Sequence, residues 1–180
     1  MIRNIIKASL LDRKTFLYFK THPESVVQSL AIVALSGITT GAAIRYRSIS
    51  IDPDNLTQQM QILTVSFSTV LLGWVLWAFI SGTLCKFWGG QGTFRETTRC
   101  IGISYSPAII FLFATFPYID KFAFLVAMIW ILISGTYALA SVQGISLVKS
   151  AFPSFVGWAM SWLLLPILML LSYISGPTTN

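Results

Sequence analysis

Residues 55–85 read NLTQQMQILTVSFSTVLLGWVLWAFISGTLC and contain no acidic, basic or histidine side chain. A helix that crosses a bilayer needs about 20 predominantly apolar residues, so this stretch is long enough for one crossing. Four further intervals are equally free of Asp, Glu, Lys and Arg: residues 25–44, 101–119, 122–148 and 150–180. The sequence therefore predicts five transmembrane helices.

The composition also indicates a membrane protein. Of the 180 residues, 55% are hydrophobic and 10% are charged, whereas a soluble domain carries about 25% charged residues. Such an apolar chain is not a disordered one either. We predict an all-α membrane protein, a five-transmembrane-helix bundle with a short amphipathic N-terminal helix. Residues 1–180 form a single integral membrane domain, with 1–23 as a cytoplasmic or interfacial segment and 24–177 as the bundle.

The expected span boundaries follow the apolar intervals. Asp52 is a suitable N-cap for the second helix, and Pro53 suits its first position. Proline removes a backbone hydrogen bond and crowds the preceding turn, so kinks are expected at Pro107 and Pro166. The five predicted spans cover residues 26–44, 62–87, 101–116, 122–141 and 155–174.

The first residues have an amphipathic pattern. On a helix, one face carries apolar side chains and the opposite face carries polar and basic ones. This pattern predicts a short helix on the cytoplasmic leaflet, attracted by anionic lipids; a solvated leader is the alternative. The apolar face holds Ile2, Ile5, Ile6 and Leu10, and the polar face Arg3, Asn4 and Lys7.

The basic residues are distributed unevenly between the two ends of the predicted bundle. Basic residues in short loops mark the cytoplasmic side, and one side has nine whereas the other has three, Arg45, Arg47 and Lys121. We therefore expect a cytoplasmic N-terminus and an external C-terminus, in the cytoplasmic membrane or an internal membrane derived from it. The nine are Arg3, Lys7, Arg13, Lys14, Lys20, Lys86, Arg95, Arg99 and Lys149.

Few side chains can carry chemistry. Metal sites require clustered His, Cys, Asp or Glu, and the chain has one histidine, His22, and two cysteines, Cys85 and Cys100. One histidine and six dispersed acids form no recognisable catalytic constellation. We predict no catalytic residue, metal site or cofactor, and no nucleic-acid partner, because the basic residues share no soluble face.

Small residues recur at four-residue spacing in the spans. Gly37 and Gly41 form a GxxxG pattern in the first span, and Ala78 and Gly82 repeat the spacing in the second. Small residues allow close approach of membrane helices. They can therefore serve packing inside the bundle, or a helix-docking face for another protein, and the sequence leaves both uses open.

The second cytoplasmic loop reads KFWGGQGTFRETTR, residues 86–99. Its three glycines permit a sharp reversal, and Thr93 with Glu96 predicts a capping box for the next helix. Phe94, Arg95 and Arg99 are expected to place an apolar anchor and two cations at the leaflet. The loop lacks the spacing of a P-loop, so we interpret it as an elbow at the membrane surface.

This loop and the start of the third span resemble the central signature of the Yip family of Ypt/Rab-interacting membrane proteins, in its prokaryotic form. The resemblance implies five spans, a cytoplasmic N-terminus and a glycine loop between spans two and three. Eukaryotic members carry an Asp-Leu-Tyr-Gly-Pro segment before the first span, where this chain has Thr21-His22-Pro23, and this difference argues against a Rab-type GTPase partner. The matching residues are Gly89, Gly90, Gly92, Thr93, Phe94, Arg99, Gly102, Tyr105 and Pro107.

The expected function is non-enzymatic. We predict an interaction protein, scaffold or accessory subunit whose partners are the lipid bilayer and other integral membrane proteins, or further copies of itself. The alternative is a transporter or channel for a small neutral or lipid-like solute. A water-filled path along Ser66, Ser68, Thr69 or Ser104 would favour that alternative, and a tightly packed bundle would count against it.

The predicted orientation can be tested by a fusion after Asn180. A reporter that is active only outside the cytoplasm is expected to be active there, because five crossings starting from a cytoplasmic N-terminus end outside. The same reporter in the loop of residues 86–93 is expected to be inactive. Activity of the loop fusion without activity of the terminal fusion would reverse the assignment.

Overall fold

The computed structural model describes residues 2–47, 55–116 and 118–175, and this part of the chain is helical, with no β-strand. The α-helices are α1 (Ile2–Ser9), α2 (Arg13–Thr21), α3 (Val26–Arg47), α4 (Leu56–Cys85), α5 (Phe94–Ser104), α6 (Asp120–Gln143) and α7 (Leu147–Ser175). Three 3₁₀ segments join them: Pro23–Ser25, Lys86–Trp88 and Ser106–Thr115.

Five helical segments in the described part are long and apolar enough to cross a membrane, which confirms the predicted fold class. They are Pro23–Arg45, Leu56–Trp88, Phe94–Thr115, Asp120–Gln143 and Leu147–Leu168. All five begin earlier than the apolar pattern predicts, since helices continue into the polar residues that flank an apolar run. Asp52 lies outside the described residues, and the first turn of α4 is capped by Asn55, whose side chain accepts a hydrogen bond from the Gln58 amide.

The third span is the most enclosed of the five. About 72% of its apolar stretch is buried inside the protein, against 24% of the apolar stretch of the fifth span. The chain changes from α- to 3₁₀-helix at Ser106, directly before Pro107, because the proline nitrogen cannot donate the α-helical hydrogen bond. Helix α7 continues unbroken through Pro153 and Pro166, so a kink at Pro166 stays a prediction.

The N-terminal segment forms two helices, of which the sequence indicated only the first. Phe16 and Phe19 on α2 are fully buried, and α2 packs against α5 and α6. In α1, Ile2 and Ile6 are exposed, whereas Ile5 packs against the core. The segment is therefore partly built into the bundle, and Ile2 and Ile6 are left to face the surroundings.

Asp12 begins α2. Its carboxylate accepts hydrogen bonds from the Lys14 amide and from Thr15 Oγ1. The Thr15 hydrogen bond is the main reason that the pKa of Asp12 is lowered. The charged carboxylate thus caps the positive end of this helix.

Trp77 occupies the middle of the core between two glycines. Its side chain is fully buried, and a methyl group at Gly135 would overlap its ring. A methyl group at Gly157 would lie 2.6 Å from Trp77 Cδ1 and 2.9 Å from its carbonyl oxygen. Helices α6 and α7 can therefore approach α4 only because neither position carries a side chain.

We expect Gly135→Ala to lower stability by about 1–3 kcal/mol, because overpacking a filled core forces side chains and backbone apart. Gly82→Ala is the matched control, since its methyl group would meet Thr97 Cγ2 at an ordinary 3.5 Å and alanine favours the helix by about 0.5–1 kcal/mol. Thermal unfolding in detergent, followed by tryptophan fluorescence, measures both. Equal transition temperatures for the two variants would contradict this account of the core.

Candidate functional site

Residues 86–93, here called the glycine loop, reverse the chain between α4 and α5. Gly89 has φ +80°, a left-handed conformation that glycine adopts without strain. The Gly90 amide then donates to the Cys85 carbonyl at 3.0 Å. A side chain at Gly90 would come within 2.9 Å of that same oxygen. Gly89 therefore contributes to the chain reversal through its backbone angle, and Gly90 contributes through close packing.

Gln143, the last residue of α6, fastens this loop to the bundle. Its Oε1 accepts from the Gly92 amide at 3.0 Å, and its Nε2 donates to Thr97 Oγ1 at 2.9 Å. Its own carbonyl accepts from the Gln91 amide at 3.1 Å. With 1% exposure, the side chain links α6, the loop and α5 in a buried setting.

Sequence reasoning missed this role for Gln143, which looked like an ordinary polar residue at the end of a span. The only available signal was a single amide directly before Gly144. That glycine has φ +70° and ends α6. An amide at such a helix end faces the neighbouring loop, but the sequence alone does not identify which loop.

Lys86 also stabilises the loop. Its Nζ donates to the Gly90 carbonyl at 3.1 Å and to the Gly92 carbonyl at 2.8 Å. The predicted capping box follows: the Glu96 amide donates to Thr93 Oγ1, and the Thr93 amide donates to Glu96 Oε2 at 2.7 Å. The loop backbone is thus held at several points along its length.

Arg99 is placed differently from the prediction. It was expected as a cation at the leaflet, but its side chain is only 8% exposed. Its Nε donates to the Phe19 carbonyl at 2.8 Å and its guanidinium also donates to the Lys20 carbonyl at 2.6 Å. The last carbonyls of a helix lack partners within that helix and attract cations. Arg99 therefore caps the end of α2, and the expectation of a surface cation is wrong for this residue.

The residues around Arg99 join α2, α3 and α5. Ser29 Oγ donates to the Arg99 carbonyl at 2.8 Å, and Cys100 Sγ lies 3.3 Å from the Phe16 carbonyl. A methyl group at Gly102 would lie 2.6 Å from Ser29 Cβ. This cluster is a second structural junction, separate from the glycine loop.

The other two signature residues belong to the core. Tyr105 is 3% exposed and packs edge-on against Trp77 with ring centroids 5.7 Å apart. Pro107 is buried at the start of the 3₁₀ segment. The signature thus falls into two groups, a loop group from Gly89 to Phe94 and a core group from Arg99 to Pro107.

The four small residues considered as a docking face lie inside the described bundle. Methyl groups at Gly37 and Gly41 would lie 2.9 Å from Phe67 Cα and 3.0 Å from Leu63 Cδ2, both on α4. Ala78 is fully buried, and Gly82 faces Thr97. Of the two uses that the sequence leaves open, the structure has these residues in internal packing.

The exposed part of the loop region is aromatic and basic. Phe87 is 80% exposed and Phe94 is 48% exposed, and Arg95 is exposed beside Phe94. Trp88 is partly exposed and packs edge-on against Phe152 of α7. We call Phe87, Trp88, Phe94 and Arg95 the loop surface.

Polar chemistry is sparse in the part of the chain that the structure describes. No group of three or more His, Cys, Asp or Glu residues occurs there that could hold a metal ion. Cys85 and Cys100 are both buried and unpaired with each other. Beside the loop, a cavity of about 460 Å³ lies between α4 and α5, lined by Phe79, Lys86 and Phe94 among others.

The fold and the loop together define a polytopic membrane protein. In this class a clamped glycine loop joins the second and third spans of a helical bundle. Residues 8–174 match the Yip1 domain. The chain therefore belongs to the Yip family. Comparison with curated proteins and with solved structures gave no match.

We expect Arg99→Met to release α2, because the variant loses hydrogen bonds from a charged group, each worth about 1.5–3 kcal/mol. In a Cys85→Ala background, Cys100 is the single cysteine, and α2 covers it. The lost hydrogen bonds should lower the free energy that holds α2 against α5 by more than about 1.4 kcal/mol. Maleimide labelling of Cys100 should therefore accelerate at least about tenfold.

Arg95→Met is the matched control, since it removes the same side chain from an exposed position on the same helix. Its labelling rate should equal that of the Cys85→Ala parent. An unchanged rate in Arg99→Met, with the protein folded, would show that Arg99 does not hold α2.

Proposed function

We propose that this Yip family protein is a non-enzymatic scaffold or accessory subunit that presents the loop surface to another integral membrane protein. The observation that carries the proposal is the contrast within the loop. Its backbone is fixed by Gln143 and Lys86, while Phe87 in the loop and Phe94 directly after it stay exposed. The clamped backbone therefore holds these rings in fixed positions on the outside of the bundle.

Rigidity favours binding at such a surface. Association costs free energy when loops and side chains become ordered at an interface, and a loop that is already clamped avoids much of that cost. Aromatic residues, phenylalanine included, and arginine are also enriched in the buried core of protein interfaces. Phe87, Trp88, Phe94 and Arg95 supply both chemical types within one short region.

An aromatic belt at the membrane interface is the simpler use of the same residues. A belt needs amphipathic rings at the headgroup level, and Trp88 suits that role. Phenylalanine has no polar end, and Phe87 is among the most exposed aromatic side chains described. A hydrophobic contact with a partner accounts for Phe87 better than headgroup contact does.

The interior favours a packed bundle over a solute path. Ser66 and Ser104 are fully buried, and Thr69 lines a cavity of only about 10 Å³, which is about the minimum for one water molecule. These features support the scaffold proposal over the transporter or channel alternative.

The test is purification of the native protein in mild detergent with mass spectrometry of the associated proteins. A stoichiometric membrane partner is expected. The double variant Phe87→Ala/Phe94→Ala should lower partner recovery at least about tenfold, because removing a hot spot costs about 2 kcal/mol or more.

The matched control is Phe113→Ala/Phe122→Ala, which removes two exposed rings from the region near the α5–α6 connection. Partner recovery should be unchanged in this control. Recovery of the wild-type protein alone, or an equal loss in both double variants, would refute the proposal.

A further inference from the structure

Two adjoining cavities lie between α6, α7 and the start of α2. The first has a volume of about 210 Å³ and is lined partly by polar side chains, among them Arg13, Ser141 and Ser146. The second has about 470 Å³ and lies along α6 and α7. Tyr137 and Leu147 line both, so the two cavities adjoin at these residues, and we treat them together as one groove. We call it the α6–α7 groove.

The end of the groove near α2 is suited to an anion. Arg13 is exposed at the first position of α2, and a guanidinium carries five hydrogen-bond donors that match phosphate geometry. Tyr137, Ser141 and Ser146 belong to the same lining, although the Ser141 hydroxyl already donates to the Tyr137 carbonyl. Lys14 follows Arg13 directly in the sequence and is exposed.

Nearby charges reinforce this polarity. Lys149 is exposed in the first turn of α7, and its amide donates to Ser146 Oγ. The neighbouring acid, Asp12, keeps its negative charge while it accepts from the Lys14 amide and Thr15, but the side chains of Arg13 and Lys14 outnumber it. The local excess of positive charge is therefore available to a negatively charged group.

The other end of the groove is apolar. Ile133 on α6 and Val148, Ala151 and Phe155 on α7 line it, and all four are exposed in the described protein. Its volume of about 470 Å³ lies within the range of about 300–1,000 Å³ that small-molecule sites occupy. This half has the size and character to hold a flexible hydrocarbon chain.

We propose that the α6–α7 groove binds an anionic glycerophospholipid, with its phosphate at Arg13 and one acyl chain between α6 and α7. The change from polar to apolar lining occurs at Tyr137 and Leu147, and an amphiphile has one such boundary along its length. A partner helix would instead place apolar side chains along the whole groove, including the end that Arg13 lines. The groove lining shares no residue with the loop surface. The lipid proposal therefore does not depend on the proposed function.

The test is native mass spectrometry of the purified protein titrated with phosphatidylglycerol, phosphatidylcholine or glycerol phosphate. One phosphatidylglycerol is expected to bind more tightly than phosphatidylcholine, and Arg13→Gln should weaken it about fivefold, since a basic residue contributes ~1 kcal/mol to attraction of anionic lipid. Ala151→Phe should also weaken it, because the added ring fills the apolar half. Glycerol phosphate should not compete, because it lacks the acyl chain.

The controls change matched residues away from the groove. Arg3→Gln removes the same charge from exposed α1, and Val75→Phe adds a ring to an exposed position on α4; both should bind phosphatidylglycerol as the wild type does. Thermal unfolding verifies that each variant is folded.

Equal binding of the two phospholipids, or unchanged binding in both Arg13→Gln and Ala151→Phe, would overturn the proposal. Displacement of the lipid by glycerol phosphate would overturn it too, as would photocrosslinking of residue 151 to a polypeptide in native membranes.

Discussion

The side chain of Gln143 on α6 satisfies hydrogen-bonding groups of two other chain segments at once, the glycine loop and α5. Its amide accepts from Gly92, donates to Thr97, and stands beside a carbonyl that accepts from Gln91. Backbone groups in an apolar environment need internal partners, and a reversal between two spans leaves several without them. The rest of this end of the bundle depends on that constraint, because the loop can pack tightly only where Gln143 and Lys86 supply what helical hydrogen bonding cannot.

The same constraint explains the position of Arg99. A buried cation is costly unless it is hydrogen-bonded, and the carbonyls at the end of α2 are costly unless they accept hydrogen bonds. Each group removes the other's penalty through the contacts with Phe19 and Lys20. The core group of the signature is thereby tied to α2, which explains how this short helix of modest apolar content remains attached to a membrane bundle.

Sequence reasoning reached the five spans because absence of charge over a membrane-spanning length is a local property. The capping box at Thr93 was predictable for the same reason, since its two partners are three residues apart. Arg99, Gln143 and α2 were not predictable. Their contacts join positions that are tens of residues apart in sequence, and a single sequence carries no record of which distant residues meet. The pattern of small residues at Gly37 and Gly41 likewise indicates close approach without identifying the neighbour.

The glycine loop shows how a motif can suggest flexibility and provide the opposite. Of its three glycines, Gly89 alone has a positive φ. Gly90 and Gly92 are required by contact, because side chains there would meet Cys85, Val142 and Gln143 at 3.1 Å or less. Two of the three therefore exist to let the loop backbone lie directly against α4 and α6. A loop held this closely has little conformational entropy left to lose, and the aromatic side chains that it carries are presented in a fixed arrangement. The glycines thus link the folding of the loop to its capacity to bind.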